Sequence, residues 1–377
     1  MNMKRSIKTG IIGGGKIGRV HAQALLNLAE SSLITAYGRN PARTAAFAGE
    51  FGIRACPTIA AMAGEGTEAV IICTPHPNHA EAAVQAMEAG MHVLVEKPLA
   101  SSLADCDAMI RTAREKGVLL GTVSQRRFYP SCQRIRQAID QGRIGRTMIG
   151  TVHMLGWRDD AYYRMDPWRG TWEGEGGGVL VNQAPHQLDL LRWYMGPIDE
   201  VFAYAANLNH PYIEVEDTAV AVVRFKNGGL GQILVSNSVN PALYGKVHIH
   251  GSNGATVGVQ TDGGAMFIAG VSGIAEPPVN DLWTIPGEEG LLETWKKEDT
   301  EFFGRIDPVL HFCEQQDADF LQAVLRGNQP LVTAEDGRNA VEIFTAIYRS
   351  SRNRAPVRFP LEADPGADFD GRYVIKG

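Results

Sequence analysis

The feature that most constrains this chain is the glycine run IIGGGKIGR, Ile11 to Arg19, together with what flanks it. A short β-like run, Ile7 to Ile12, leads into the glycines, and VHAQALLNLAE follows as a helix. Strand, glycine turn and helix in that order give G-x-G-x-x-G its meaning as part of a dinucleotide-binding unit. Gly13 permits the tight turn, Gly15 lets a pyrophosphate approach the backbone, and Gly18 lets the helix pack on the strand. The first helical turn, with Lys16 and Ile17, then offers N–H groups to phosphates. The alternative is a purely structural glycine turn.

The second strand, Leu33 to Tyr37, ends in Gly38-Arg39-Asn40, with Arg43 one turn further on. An NAD site usually carries a carboxylate here for the ribose 2′-hydroxyl. Its absence, and a guanidinium able to pair with a 2′-phosphate, favour NADP over NAD. Arg39 stacked on adenine would instead serve either cofactor.

Ala69 to Cys73 reads as a buried parallel strand, and Thr74-Pro75-His76-Pro77-Asn78-His79 shapes the loop at its C-terminal end. Ligands of open α/β sheets sit at that edge, so Thr74 and Pro75 are expected at the cofactor, with His79 capping or packing the loop. A helix, Ala80 to Ala89, and a strand, His92 to Val95, then deliver Glu96-Lys97-Pro98 to the same edge. An arbitrary lysine just past a strand is ordinarily solvated; Lys97 stands beside a proline at the cofactor edge.

Length and composition limit the rest. At 377 residues two domains are expected, with 1–123 as the Rossmann domain and 124–377 as an α+β substrate and oligomerisation domain. A net charge of -6 gives no support to nucleic-acid or anionic-membrane binding. No run approaches the roughly 18 apolar residues of a membrane span, and the basic start lacks a signal peptide's apolar stretch. Five scattered cysteines, without C-x-x-C spacing, suit reduced thiols in the cytoplasm. His76 and His79 lack a third ligand nearby, so no metal is expected.

From Ser124 the βα alternation yields to β-like runs: Arg146 to Leu155, Val201 to Ala206, Thr218 to Phe225, Leu230 to Ser236, Lys246 to His250 and Ala265 to Ala269. Lys226-Asn227-Gly228-Gly229 supplies hairpin chemistry, and a mixed or antiparallel sheet with helices on one side follows. His248 and His250 share a face, read as polar sheet surface or subunit interface. In GGGVLVNQAPHQLDLL, Leu188, Leu191 and Met195 mark a helix's buried face, and Pro185 must lie in its first turn. Asn182 then falls near the helix start, where N-capping is an alternative to a functional role. His186 follows on a similar face, and on its own would be read as a core histidine. Upstream, residues 156–178 hold three of the six tryptophans. Trp168, Arg169 and Tyr163 are candidates to stack on and hold a sugar, or to form an interface arm. Arg126, after the strand Leu119 to Val123, is a weaker candidate.

Three segments in order, the glycine fingerprint, TP-x-x-x-H with GMHVLVEKPLA, and GGGVLVNQAPHQLDLL, resemble the glucose-fructose oxidoreductase/inositol dehydrogenase/MocA family. Weaker similarity runs through QRRFYPSCQRIRQAIDQGRIG, EDTAVAVVRFKNGGLG and DGRNAVEIFTAIYRSS, covering nearly the whole chain. The resemblance implies an α/β Rossmann domain followed by an α+β domain with a large, mostly antiparallel open sheet. One face of that sheet would carry the substrate pocket and the other, commonly, a dimer or tetramer interface. It also implies hydride transfer with NAD or NADP at a secondary hydroxyl of a sugar, sugar derivative or cyclitol.

Lys97 and His186 correspond to the family's proton-handling pair, and imidazole, with a pKa near 6.5, can accept a hydroxyl proton near neutrality. An ammonium stabilises the developing alkoxide. The family usually has aspartate where this chain has Asn182. An amide can orient a substrate hydroxyl but cannot raise the histidine's basicity as a carboxylate does. The asparagine–glutamine form is familiar among relatives acting on nucleotide-linked amino-sugar acids and other modified sugars. Two other readings remain at this point: glycoside cleavage with NAD(H) retained through a transient keto-sugar, and a non-catalytic dinucleotide sensor.

Overall fold

Alternating apolar strands and capped helices build the first unit, and the computed structural model describes residues 5–263, 277–364 and 368–372. Its strands are β1 (Ile7–Ile12), β2 (Ser31–Tyr37), β3 (Arg54–Ala55), β4 (Ala69–Ile72), β5 (His92–Val95) and β6 (Leu120–Thr122). They form a parallel sheet in the order β3-β2-β1-β4-β5-β6. This is the doubly wound order of dinucleotide-binding folds. β1 and β4 are in register from Thr9↔Ala69 to Ile12↔Ile72, and β4 is buried throughout, as a strand covered on both faces must be. Three of its helices start where side chains cap them: Asn40 accepts from the Arg43 amide, Thr58 from Ala61 and Ser102 from Asp105.

The chain divides into two compact units, Met1–Gln125 with Asp307–Asn339, and Arg126–Ile306 with Ala340–Gly377. The first crossing lies two residues beyond the boundary expected at 123. The return of Asp307–Asn339 to the first unit was not anticipated by a single division of the chain. That return is specified by packing and hydrogen bonds. The helix Pro308–Arg326, capped by Asp307 onto the Val309 and Leu310 amides, contributes Phe320 and Leu321 to the core of Ile11, Leu25, Phe47, Ile71 and Leu94. Gln316 accepts from the Ser124 amide (2.8 Å) and donates to the Thr122 carbonyl (3.1 Å), satisfying groups beside edge strand β6.

The second unit holds β7 (Thr147–Leu155), β8 (Ile198–Ala206), β9 (Thr218–Phe225), β10 (Leu230–Ser236), β11 (Tyr244–Gly251), β12 (Thr256–Gly263), β13 (Val279–Trp283) and β14 (Val357–Arg358). Their order is β13-β12-β11-β7-β10-β9-β8-β14. Only β7–β10 pairs parallel among these strands, from Leu230↔Ile149 to Ser236↔Leu155. The sheet is therefore mixed and mostly antiparallel. The candidate strand Ala265 to Ala269 lies outside the described residues. On one face the helix Pro185–Met195 buries Leu188, Leu191 and Met195. A Cβ on Gly150 would collide with Leu191 and Met195, so β7 needs glycine where the helix approaches closely. The other face leaves Ile149, Tyr204, Val220, Val222 and Leu230 exposed.

Candidate active site

In the first unit the three fingerprint glycines have separate physical causes. Gly13 has φ +101°, a left-handed conformation, and its position abuts the Cys73 carbonyl. A Cβ on Gly18 would strike the Gly13 carbonyl oxygen, whereas one on Gly15 would meet nothing within 4 Å. The helix Lys16–Asn27 has no acidic residue in its first turn and no side-chain cap, so its N-terminal amides suit an anion. The Thr74 hydroxyl oxygen, at the end of β4, is buried with no hydrogen-bond partner. An open glycine cradle and an orphaned hydroxyl at one sheet edge fit a dinucleotide.

At the end of β2, Arg39 and Arg43 are both exposed, and Gly38 is closed over by Thr44, whose hydroxyl donates to the Asn40 carbonyl at 2.9 Å. His79 bridges the two loops at this edge: its ring nitrogens lie 2.8 Å from the Thr74 and Pro98 carbonyl oxygens. Burial holds its basicity below the ordinary range. Lys97 follows β5, half-buried, and its peptide bond to Pro98 is cis. Its amide donates to Glu96 Oε2 at 3.0 Å. Burial works against the Glu96 charge, but the bond from His21 and the Lys97 ammonium hold its carboxyl below the usual range.

In the second unit a single-turn helix, Val179–Asn182, precedes the helix that starts at Pro185. Pro185 is in the first turn, as expected, but Ala184 occupies the cap position without a side-chain bond. Asn182 is therefore not an N-cap. Its amide donates to Glu175 Oε1 and, at 3.1 Å, to the Tyr162 hydroxyl. The same hydroxyl accepts from Gln183 Nε2 (2.9 Å) and Arg169 Nη1 (2.5 Å). Burial first, then the Glu175 carboxylate, pushes the Tyr162 phenol up to about 12, so it remains neutral. His186 is the second residue of its helix and 8% exposed.

The other substrate candidates take different places. Arg169 lies 4.5 Å over both the Trp168 and Tyr162 rings and also bonds Asp166. Tyr163 is buried with its ring edge-on to Tyr162, His210 and Tyr212. Arg126 is buried and donates to Thr261 Oγ1 at 3.2 Å, where Gln187 also donates. His248 pairs with Asp281 on the sheet. Sequence reasoning noted Gln183 only as part of the asparagine–glutamine form and missed Tyr162 and Glu175. Glu175 could have been noticed as a carboxylate flanked by glycines seven residues before Asn182.

Known proteins match both units. The description "Oxidoreductase family, NAD-binding Rossmann fold" fits residues 7–123, and "GFO/IDH/MocA C-terminal domain" fits residues 132–257. The chain belongs to the Gfo/Idh/MocA oxidoreductase family. It is 30% identical to myo-inositol 2-dehydrogenase of Thermotoga maritima, covering 93% of this chain and 98% of that one. Among solved structures, the WlbA dehydrogenase from Bordetella pertussis, in complex with NADH and UDP-GlcNAcA, is 31% identical with a TM-score of 0.83. That comparison covers 96% of this chain and 100% of the other. The Chromobacterium violaceum WlbA dehydrogenase, with the same two ligands, is 28% identical with a TM-score of 0.77, covering 95% and 97%.

Proposed function

We propose that this protein is a dehydrogenase acting on a secondary hydroxyl of a sugar derivative, with a nucleotide-linked sugar acid as the leading substrate class. The observation that carries the substrate class is the Asn182–Gln183 amide pair, tied to Tyr162 and backed by Glu175. By resemblance, Asn182 stands where a cyclitol dehydrogenase of this family usually presents an aspartate. The 31% identity to a structure containing NADH and UDP-GlcNAcA supports the same reading.

The nicotinamide ring supplies the hydride acceptor when the cofactor is bound. The remaining chemistry falls to this chain's residues. His186 takes the hydroxyl proton, and the Lys97 ammonium stabilises the oxygen as it gains negative charge. Asn182 and Gln183 orient the sugar, and Arg169 meets its anionic or hydroxyl groups. Gly13, Gly15, Gly18 and Thr74 hold the dinucleotide. With no carboxylate at the end of β2, Arg39 and Arg43 favour the 2′-phosphate of NADP over the bare hydroxyl of NAD. The exposed apolar sheet face, Tyr204, Val220, Val222 and Leu230, supports a homo-oligomer. Five buried cysteines, none of them in a disulfide, suit the cytoplasm.

The test is a panel of UDP-linked sugar acids, free sugars and inositols with NAD and NADP, followed by absorbance at 340 nm. Turnover of a UDP-linked sugar acid is expected, with kcat/KM higher for NADP. Lys97→Met should lower kcat by about 100-fold or more while NADPH still binds. Near-normal turnover by that variant overturns the mechanism, and exclusive inositol turnover overturns the substrate class.

A further inference from the structure

Three ionisable side chains meet in the interior of the first unit. His21, in the helix Lys16–Asn27, is fully buried. Its Nδ1 lies 2.9 and 3.0 Å from the two oxygens of Asp317, and its Nε2 lies 3.2 Å from Glu96 Oε1. Asp317 belongs to the returning helix Pro308–Arg326 and is also fully buried. A neutral imidazole has one N–H and one lone pair, but here both nitrogens face carboxylates. Only the imidazolium can donate to both.

The charges then alternate: Asp317 negative, His21 positive and Glu96 negative, with the positive Lys97 ammonium acting on Glu96 electrostatically. Glu96 is shared, with Oε1 on His21 and Oε2 on the Lys97 amide. Burial opposes the charge on His21, but Asp317 and then Glu96 carry it up to about 10. Burial also pushes Asp317 up, against the pull of His21; the two-sided geometry favours the ionised form of both. The other ionisable groups acting on this cluster are Cys73, Cys313, Glu314, His79 and Lys97. Burial keeps both thiols protonated.

We propose that His21 and Asp317 are positioning residues for Lys97: Asp317 fixes the His21 imidazolium, which fixes the Glu96 carboxylate, which holds the Lys97 backbone. The inference deepens the dehydrogenase reading above and rests on it for the role of Lys97. It gives the returning helix a purpose beyond packing, since Asp317 is 296 residues from its partner His21.

The experiment uses the full chain and the variants Asp317→Asn and Asp317→Glu. Nitrogen-15 NMR of the His21 ring should show both nitrogens protonated from pH 6 to 9 in the parent protein. Hydrogen exchange of the peptide carrying Lys97 should accelerate at least tenfold in Asp317→Asn, with the rest of the first unit's sheet unchanged. With a substrate in hand, kcat/KM of Asp317→Asn should fall about tenfold at pH 7. It should fall further towards pH 9, because the weakened imidazolium then loses its proton within the assay range. Asp317→Glu should recover the parent pH profile. A singly protonated ring in the parent, unchanged exchange at Lys97, or a loss equal at every pH overturns the proposal. The NMR and exchange measurements need no substrate. Their failure beside good turnover rejects the positioning network alone, whereas expected NMR and exchange without any turnover rejects the dehydrogenase reading and, with it, the functional role assigned here.

Discussion

Arg127 grips Asp189 with a two-pronged ion pair, Nε to Oδ2 at 2.8 Å and Nη2 to Oδ1 at 2.5 Å, both side chains being buried. Asp189 lies three residues after His186 on the same helix, so this pair fixes the rotation of the helix that carries the proposed base. The Arg127 guanidinium also lies 5.1 Å from the Trp193 ring centre. Arg127→Ala would strand a buried carboxylate, at a cost of about 3–5 kcal/mol. Urea unfolding should show that loss, with Arg127→Lys recovering only part because a lysine cannot reproduce the fork. A change under about 1 kcal/mol would mean that water replaces the pair.

Asn182→Asp would restore the residue type usual for the family and should nevertheless harm this protein. The Asn182 amide donates to Glu175, so the substitution sets a carboxylate against the buried Glu175 carboxylate. One of them must then hold a proton, with its pKa raised. A group whose folded pKa is raised above its unfolded value favours folding at low pH and loses that contribution as pH rises. The variant should therefore be about 2 kcal/mol less stable than the parent at pH 7 and closer to it at pH 5. Adding Glu175→Gln should restore the pH 7 stability. Thermal unfolding of the three proteins at both pH values decides it.

Much of this was legible because it is local. The fingerprint glycines, the strands β1 and β5, and the buried face at Leu188, Leu191 and Met195 all follow from spacings of a few residues. Lys97 was placed at a strand end by the same means. The partners that give the site its character were not legible, because they come together only in the fold. Asp317 reaches His21 from the far end of the chain, and Glu216 reaches Gly178 across 38 residues. Asn182 is a middle case. Its proline-marked helix was read correctly, but a one-turn helix ending at Asn182 is too short to leave a periodic signal.

Glu216 gives the second unit a pH dependence. Its carboxylate accepts from the amides of Gly178 (2.9 Å) and Leu180 (3.0 Å) and from the Tyr348 hydroxyl (2.6 Å), holding the glycine turn before Asn182. Burial outweighs these donors and raises its pKa from 4.5 to about 7. The folded state then binds the proton more tightly than the unfolded one, so stability falls as pH rises from about 4.5 to about 7. The full effect is roughly 3 kcal/mol. Glu216→Gln cannot titrate, and it loses one acceptor. The parent's advantage over this variant should be largest near pH 4.5 and shrink by up to that amount by pH 7.5, measured by urea unfolding. A constant difference across that range would show that Glu216 is ionised throughout.

The fingerprint glycines can be separated by the same small change. A methyl group on Gly18 has no room, because the Gly13 carbonyl oxygen already occupies its place where helix meets strand. Gly18→Ala should therefore cost about 1–3 kcal/mol through forced backbone movement, visible as a lower Tm without any cofactor present. At Gly15 the added methyl meets no protein atom within 4 Å, so Gly15→Ala should fold with an unchanged Tm. Its methyl would instead enter the space where the pyrophosphate approaches the backbone. Fluorescence titration of NADH and NADPH should show at least tenfold weaker binding, equivalent to about 1.4 kcal/mol. Unchanged binding of both by Gly15→Ala would mean that the phosphates do not come close to this turn.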